Sequence, residues 1–213
     1  MDAQHEHYYT IKQIGGPEKS DDIWKQVEML DAFKQPWKDG ALQKTHFRAF
    51  HDNKWLYIRY DVEDTTAWIF ERDNNKMEVA LSNRVEIFFK TDELLEKYYC
   101  LEIDSRGRVL DYSASFYRNF DYTWLWPKGQ LSVQTELTDK GYKVDLRLGM
   151  ESLKNLGILK NRAIKAGIFR GDCIDPSSPK GDDTEFNWIS WVDPKTEKPD
   201  FHVGSAFGTL KLA

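Results

Sequence analysis

The chain has 213 residues and a formal net charge of −5, and a length of this size predicts one all-β domain over residues 1–213. Basic and acidic residues are interspersed along the chain, which excludes a basic nucleic-acid-binding surface. No apolar run approaches the roughly 20 residues that a membrane-spanning helix needs.

The predicted elements begin with a short helix over residues 20–30, for which Ser20 is the candidate N-cap. Alternating patterns then predict a hairpin of Thr45–His51 with Trp55–Val62, and a strand over 84–92. Two further hairpins span residues 98–116 and 131–150, and each has a cluster of turn residues near its middle. A second short helix is predicted over 150–158, and the last strands cover 163–173, 185–192 and 207–212.

About nine or ten strands with tight turns predict a two-sheet antiparallel β-sandwich, jelly-roll or immunoglobulin-like, with one or two short helices. The longest irregular stretch covers residues 173–186, and loops of such length are often functional. Cys100 and Cys173 both lie in strand patterns. The sequence leaves open whether they form a disulfide or are two separate buried thiols.

Catalytic patterns are few. Glu102 and Asp104 lie two apart on a predicted strand, as in jelly-roll glycosidases with a Glu-x-Asp-x-x-Glu run, but position 107 is glycine. We therefore favour a strand that ends in a turn. The sequence contains no His-Glu-x-x-His run, no glycine-rich phosphate loop and no Gly-x-Ser-x-Gly elbow, so no enzyme is predicted.

An acidic loop is the one candidate metal site. Asp61, Glu63 and Asp64 are followed by Thr65 and Thr66, and oxygen-rich loops of this kind can hold calcium. Acidic loops are more often simply solvated. A structural calcium ion is therefore an open alternative, and no other cofactor is predicted.

Four segments in order resemble the family-nine carbohydrate-binding module, within the wider DOMON-like group of β-sandwiches: KWLYIRYDVEDT, RVEIFF, SWVDP and PDFHVGSAFGTLKL. The resemblance covers roughly residues 20–212. It implies a non-catalytic domain that grips the end of a mono- or oligosaccharide by aromatic stacking and by charged hydrogen bonds to hydroxyls. It also implies a periplasmic or extracellular location, with a signal peptide already removed, and a possible separate glycosidase as partner.

The resemblance also implies site residues. Trp191 of SWVDP matches one ring of the family's tryptophan clamp, and Glu86 of RVEIFF matches a carboxylate that binds hydroxyls. Trp68 is the nearest tryptophan upstream of that strand and the candidate second ring. Arg84 replaces an aspartate of the family pattern and is a further candidate. Apart from the resemblance, Arg170 ends a strand near the long loop, where it either lines the pocket or forms an ion pair between neighbouring strands.

Strand alternation bears on two of these residues. Trp188 and Trp191 must face opposite sides of one strand, and the position of Trp191 at the strand end favours it as the outward ring. Glu86 is expected on the face opposite Val85 and Ile87, either as a ligand-binding group or paired with an arginine such as Arg59.

Two alternatives remain at the level of function. DOMON-like domains also include haem-binding electron carriers, for which Met77 is a candidate axial ligand. A glycoside hydrolase would need two carboxylates in a cleft, and Glu86 with Glu102 is the pair to consider.

Overall fold

The computed structural model describes residues 7–15, 21–175 and 185–213, and that part of the chain is mostly β-structure. The earlier strands are β1 (Tyr8–Gln13), β2 (Thr45–His51), β3 (Trp55–Glu63), β4 (Arg84–Lys90), β5 (Tyr98–Asp104), β6 (Val109–Ser115) and β7 (Asn119–Asp121). The later ones are β8 (Leu131–Thr138), β9 (Gly141–Gly149), β10 (Leu159–Lys160), β11 (Ala163–Asp175), β12 (Glu185–Ser190) and β13 (Gly208–Leu212). The helices are α1 (Asp21–Lys25) and α2 (Met150–Asn155), with 3₁₀ turns at Lys76–Leu81 and Gly204–Ala206.

The strands join into one curled mixed sheet in the order β7-β6-β5-β4-β11-β13-β1-β2-β3-β9-β8, with β10 and β12 also paired to β11. Strand β1 connects two halves, because its beginning pairs with β13 and its end pairs with β2. We call the part from β7 to β13, with β10 and β12, the first half-sheet, and the part from β2 to β8 the second. Both pairings of β1 are parallel, so the expectation of purely antiparallel strands is corrected there.

The three predicted hairpins are present as β2–β3, β5–β6 and β8–β9. In β3 buried and partly exposed side chains alternate strictly, as expected for a strand with one face on a core. At the turn into β9, Gly141 has φ +154, and a Cβ there would lie 2.0 Å from the carbonyl oxygen of Val62. Only glycine fits this close approach.

The helices are shorter than predicted. Helix α1 ends at Lys25, and Leu30 instead exchanges backbone hydrogen bonds with Phe47 of β2. Ser20 lies outside the described residues, as does most of the predicted 173–186 loop. In the described part of the chain, no helix is long and apolar enough to cross a membrane.

The main core lies between the two half-sheets and draws fully buried residues from both, such as Ile58, Val144, Ile87 and Ile168. A second apolar cluster lies on the outer face of the first half-sheet and includes Phe88. Because side chains alternate along a strand, β4 sends its odd-numbered residues into the main core and its even-numbered residues to the outer face.

The two cysteines are not joined, and Cys100 belongs to the second apolar cluster. Cys100 of β5 and Cys173 of β11 are both buried thiols, and no disulfide connects them. The alternative of two separate buried thiols is therefore the one that the structure shows.

Candidate functional site

A cavity of about 190 Å³ lies on the outer face of the first half-sheet. Its floor is formed by neighbouring strands: Arg84 and Glu86 come from β4, Glu102 from β5, and Leu110 and Tyr112 from β6. These side chains point to one face because Glu86 is directly opposite Glu102, and Glu102 is opposite Leu110, in the antiparallel register. The floor is therefore a patch of a rigid sheet and not a loop.

Aromatic rings stand at both sides of this floor. On the side of β12, the ring of Trp188 lies 5.8 Å from that of Phe201, and Trp37 lies 5.5 Å from the same phenylalanine. On the side of β7, the rings of Phe120 and Tyr122 are 5.6 Å apart. All five rings line the cavity, so a ligand on the floor would be flanked by aromatic faces and edges.

Arg84 is held firmly in the floor. Its Nε donates to Oε2 of Glu102 at 2.6 Å, and its Nη1 donates to the backbone oxygen of Ala80 at 2.9 Å. Its guanidinium also lies 5.3 Å from the ring centre of Trp188. Burial would by itself lower the pKa of Arg84, but Glu86 and Glu102 outweigh this and raise it, so the guanidinium stays charged.

Glu86 is buried in the same floor with one oxygen unused. Nε of Arg84 lies 2.9 Å from Oε1 of Glu86, but its hydrogen points at Glu102, and Oε1 accepts no aligned hydrogen bond. Burial, and then the charge of Glu102, raise the pKa of Glu86 to about 8, against the opposing effect of Arg84. Glu86 therefore holds a proton near neutral pH and still offers a hydrogen-bonding atom to the cavity.

Two loops meet at the rim of the cavity through Asp200. Its carboxylate accepts hydrogen bonds from Nη1 of Arg118 at 3.1 Å and from the hydroxyl of Tyr117 at 2.7 Å. The neighbouring His202 stacks on Phe88 of the floor, with ring centres 5.1 Å apart. Burial, and next the charge of Arg118, lower the pKa of His202 to about 3, so it is a neutral wall group.

Gly171 of β11 makes room for two of the site's side chains. A Cβ at this position would lie 3.0 Å from Nη1 of Arg84 and 3.3 Å from the ring of Trp188. Trp188 is the register partner of Gly171 on β12, and Arg84 is its partner on β4. The bare backbone at 171 therefore lets guanidinium and indole pack side by side.

Of the residues predicted from the sequence, Arg84 and Glu86 lie together in the cavity floor. The expected faces of β4 are confirmed, because Val85 and Ile87 lie in the main core. The alternative ion pair of Glu86 with Arg59 is wrong, since Arg59 binds Asp145 in the second half-sheet.

Trp191 does not stand in a groove. It is 3% exposed in the main core, where its ring covers Gly208 and where its backbone N–H donates to Ile168. The prediction that Trp188 and Trp191 face opposite sides of the strand is confirmed. The prediction that Trp191 is the outward ring is wrong. Ile189, on the same face as Trp191, is fully buried, and that face is the core face. Trp188 is the ring that borders the cavity.

Trp68 and Arg170 lie away from the cavity. Trp68 is exposed but lines a separate groove with Arg106 and Leu137. Arg170 is fully buried on the core face of β11, where Nη2 donates to Asp64 at 2.8 Å and to Asp172 at 3.0 Å. Neither side chain lines the cavity, so the structure does not bring them together with Arg84 and Glu86, and Arg170 takes the alternative of an ion pair.

Four ring residues and Asp200 were not predicted as site residues. Trp37 and Phe201 come from irregular segments, which have no periodicity to indicate a direction. Phe120 and Tyr122 belong to the ring-rich segment FDYTWLWPKG, whose two tryptophans pack on the main core.

The acidic loop after β3 has protein partners. Asp61 binds Arg48 at 2.7 Å, and Asp64 binds the buried Arg170. Within residues 7–15, 21–175 and 185–213, no group of three or more His, Cys, Asp or Glu side chains is arranged to hold a metal ion. Calcium binding by this loop stays a prediction.

A protein-family model described as "Carbohydrate family 9 binding domain-like" matches residues 14–213. The chain belongs to this family. It is therefore a carbohydrate-binding domain and not an enzyme, and Glu86 and Glu102 are not a catalytic pair. Nothing supports the haem alternative. No similar sequence was found among curated proteins.

Solved structures agree with the fold of a family 9 binding domain. A proposed carbohydrate-binding protein from Bacteroides uniformis is 17% identical with a TM-score of 0.73, over 98% of this chain and 100% of that one. A family 9 module from Caldicellulosiruptor kristjanssonii in complex with glucose is 14% identical, with a TM-score of 0.63 over 97% and 96%. The cellotriose complex of a family 9 module from that organism is 16% identical, with a TM-score of 0.59 over 97% and 93%.

Proposed function

We propose that the cavity on the outer face of the first half-sheet binds one sugar unit at the end of a glycan. The observation that carries this proposal is the combination of five aromatic rings with a buried polar floor in one small cavity. Aromatic faces suit the C–H faces of a pyranose, and buried carboxylate and guanidinium groups suit its hydroxyl rim.

The size of the cavity supports a single unit. Its volume of about 190 Å³ is below the roughly 300–1,000 Å³ of pockets that take drug-sized ligands. Residues 199–202 and the ring of Phe120 line the cavity, and we expect them to admit a chain end more readily than the middle of a long glycan.

The rings are the anchors in this proposal. If one stacked indole hides roughly 80 Å² of apolar surface, at about 25 cal/mol per Å² it contributes about 2 kcal/mol. Two or three charge-assisted hydrogen bonds add to this, and the cost of association subtracts several kcal/mol. Binding of about −4 to −7 kcal/mol, millimolar to ten-micromolar, is the expected range.

Three further inferences belong to the same proposal. The curled sheet with its enclosed core is a β-sandwich, as in other members of the family. A periplasmic or extracellular location and a separate glycosidase as partner would place the domain where glycan ends are produced. The glucose and cellotriose complexes of family 9 modules make glucose and short cello-oligosaccharides the first ligands to test.

The test is titration calorimetry with glucose and cellotriose on the unchanged protein, on Trp188→Ala and on Trp68→Ala. Trp68 is the matched control, because it is an exposed tryptophan in a different groove. We expect Trp188→Ala to lose about 2 kcal/mol of affinity, roughly thirtyfold, and Trp68→Ala to bind as the unchanged protein does. Equal affinities for both variants, with circular dichroism showing both folded, would reject this cavity as the site.

A further inference from the structure

The cavity has one more carboxyl group than it has guanidinium groups. Five acidic or basic side chains line it: Arg84, Glu86, Glu102, Arg118 and Asp200. Arg118 is paired with Asp200 at 3.1 Å, and Arg84 gives its best hydrogen bond to Glu102 at 2.6 Å. Two guanidinium groups thus face three carboxyl groups, and Glu86 is the one in excess.

Oε1 of Glu86 contacts Nε of Arg84 at 2.9 Å but receives no aligned hydrogen bond from the protein. Glu86 itself is 2% exposed. The hydroxyl group of Tyr112, which also lies in the floor, donates its hydrogen bond to Oε1 of Glu102 at 2.9 Å. The register partner of Glu86 on β11 is the apolar Phe169. An unsatisfied buried carboxylate is costly, so a ligand that brings a donor or a positive charge gains most here.

The walls are also suited to a cation. Trp188, Trp37, Phe120 and Tyr122 present aromatic rings to the space above Glu86. Aromatic faces attract cations, most strongly where water is excluded. The guanidinium of Arg84, 5.3 Å from the ring of Trp188, already makes such a contact at the edge of the cavity.

We propose that the sugar unit selected by this cavity carries a protonated amino group, which binds Oε1 of Glu86 between the aromatic walls. The ligand class is then a glycan end with a free amine, a 2-amino-2-deoxyhexose being the simplest case. This inference rests on the proposed sugar binding and adds the identity of one substituent. A neutral sugar would bind while Glu86 holds its proton, whereas an ammonium group replaces that proton.

Replacement of the proton has a measurable consequence. When an ammonium group binds, Glu86 ionises and its proton goes to the buffer. Four other titratable or charged groups lie near Glu86 in the floor: Arg84, Glu102, Tyr112 and Cys100. Three more lie at the rim: Arg118, Asp200 and His202. Arg84 is already charged, and burial holds the pKa values of Cys100 and Tyr112 well above neutrality, so neither of those two releases a proton.

The experiment is calorimetric titration with glucosamine, glucose and N-acetylglucosamine at about pH 6.5, where the amine is protonated, in two buffers of different ionisation enthalpy. We expect glucosamine to bind several-fold more tightly than glucose, because the charge-assisted hydrogen bond and the aromatic contacts outweigh the roughly thirtyfold cost of ionising Glu86 at this pH. We also expect release of close to one proton per glucosamine and of almost none per glucose. N-acetylglucosamine, which keeps the nitrogen but not the charge, should show no gain.

Glu86→Gln removes the charge and keeps the shape, and we expect it to abolish the preference for glucosamine over glucose. Glu136→Gln, on an exposed strand of the second half-sheet, is the control and should keep the preference. If glucose binds but glucosamine binds no more tightly, the amino-sugar inference alone is overturned. If neither sugar binds the unchanged protein, the proposed function fails with it.

Discussion

Glu86 and Glu102 are direct register partners on β4 and β5, and both carboxylates contact the same nitrogen, Nε of Arg84, at 2.9 and 2.6 Å. All three residues are at most 6% exposed. Two carboxyl groups that share one guanidinium group in so little water form a binding surface and also destabilise the fold when both are ionised. Its stability and its ligand affinity therefore both depend on protonation.

Arg84→Met should destabilise the fold strongly, because it leaves two carboxyl groups buried without a counter-charge. Breaking such a buried pair typically costs about 3–5 kcal/mol in the free energy of unfolding. Urea denaturation near neutral pH would measure this cost, which should shrink in acid as both carboxyl groups become protonated. Lys143→Met, which removes an ion pair with the exposed Glu136, is the control and should cost less than about 1 kcal/mol. A cost no larger for Arg84→Met than for this control would contradict the interpretation.

Glu86 should make the fold less stable as pH rises. Its pKa is raised from 4.5 in the unfolded chain to about 8 in the folded one, so between these values the folded state binds more protons. The free energy of unfolding then falls with increasing pH, by up to about 1.4 kcal/mol per pH unit for one proton. Below this window both states are protonated and the penalty vanishes.

Glu86→Gln tests this dependence, because glutamine keeps the shape and cannot ionise. Relative to the unchanged protein, the variant should gain stability in urea denaturation as pH rises from about 5 to about 8. A stability difference that stays constant over this window would show that Glu86 titrates normally.

Gly171→Ala should weaken both sugar binding and the fold. A methyl group at this position would press on the guanidinium of Arg84 and on the indole of Trp188, at 3.0 and 3.3 Å. Because Arg84 is fixed by Glu102 and Ala80, the indole is the group that must shift. We expect a loss of affinity of about tenfold and a loss of stability of about 1–3 kcal/mol, as for other small-to-large changes in packed sites. Affinity equal to that of the unchanged protein in calorimetry would show that the indole does not need this position.

Replacing Trp188, in β12, and replacing Trp191, just after β12, should have opposite effects on stability and on sugar affinity. Trp191→Ala removes a ring from the main core and should cost about 3–5 kcal/mol in the free energy of unfolding. The protein that remains folded should bind sugar with nearly unchanged affinity. Trp188→Ala should show the reverse, little change in unfolding and a large loss of affinity. If Trp191→Ala removes binding from well-folded protein, the assignment of the two rings is wrong.

Local periodicity was sufficient to predict most strands and the two faces of β4. The three hairpins and the placement of Glu86 opposite Val85 and Ile87 follow from alternation within a few residues. The same periodicity separates Trp188 from Trp191 but does not say which face is covered. That depends on Ile168 and Gly208, which are distant in the chain and pack against Trp191.

Other features have no local signal. The parallel pairing of β1 joins residues near the N-terminus to β13 at the other end of the chain. Trp37 reaches the cavity because its indole N–H donates to the backbone oxygen of Thr196 at 2.8 Å. A contact between segments this far apart arises only when the whole sheet has formed. The sequence therefore predicted the floor of the cavity better than its walls.

None of the rings at Trp37, Phe120, Tyr122, Trp188 and Phe201 belongs to the main core between the half-sheets. Substitutions at these positions would reshape the cavity while leaving that interior intact. Random mutation, or a designed library confined to this side of the molecule, could thus change which sugar the cavity prefers. The solved structures with a similar fold share only 14–17% of their residues with this chain.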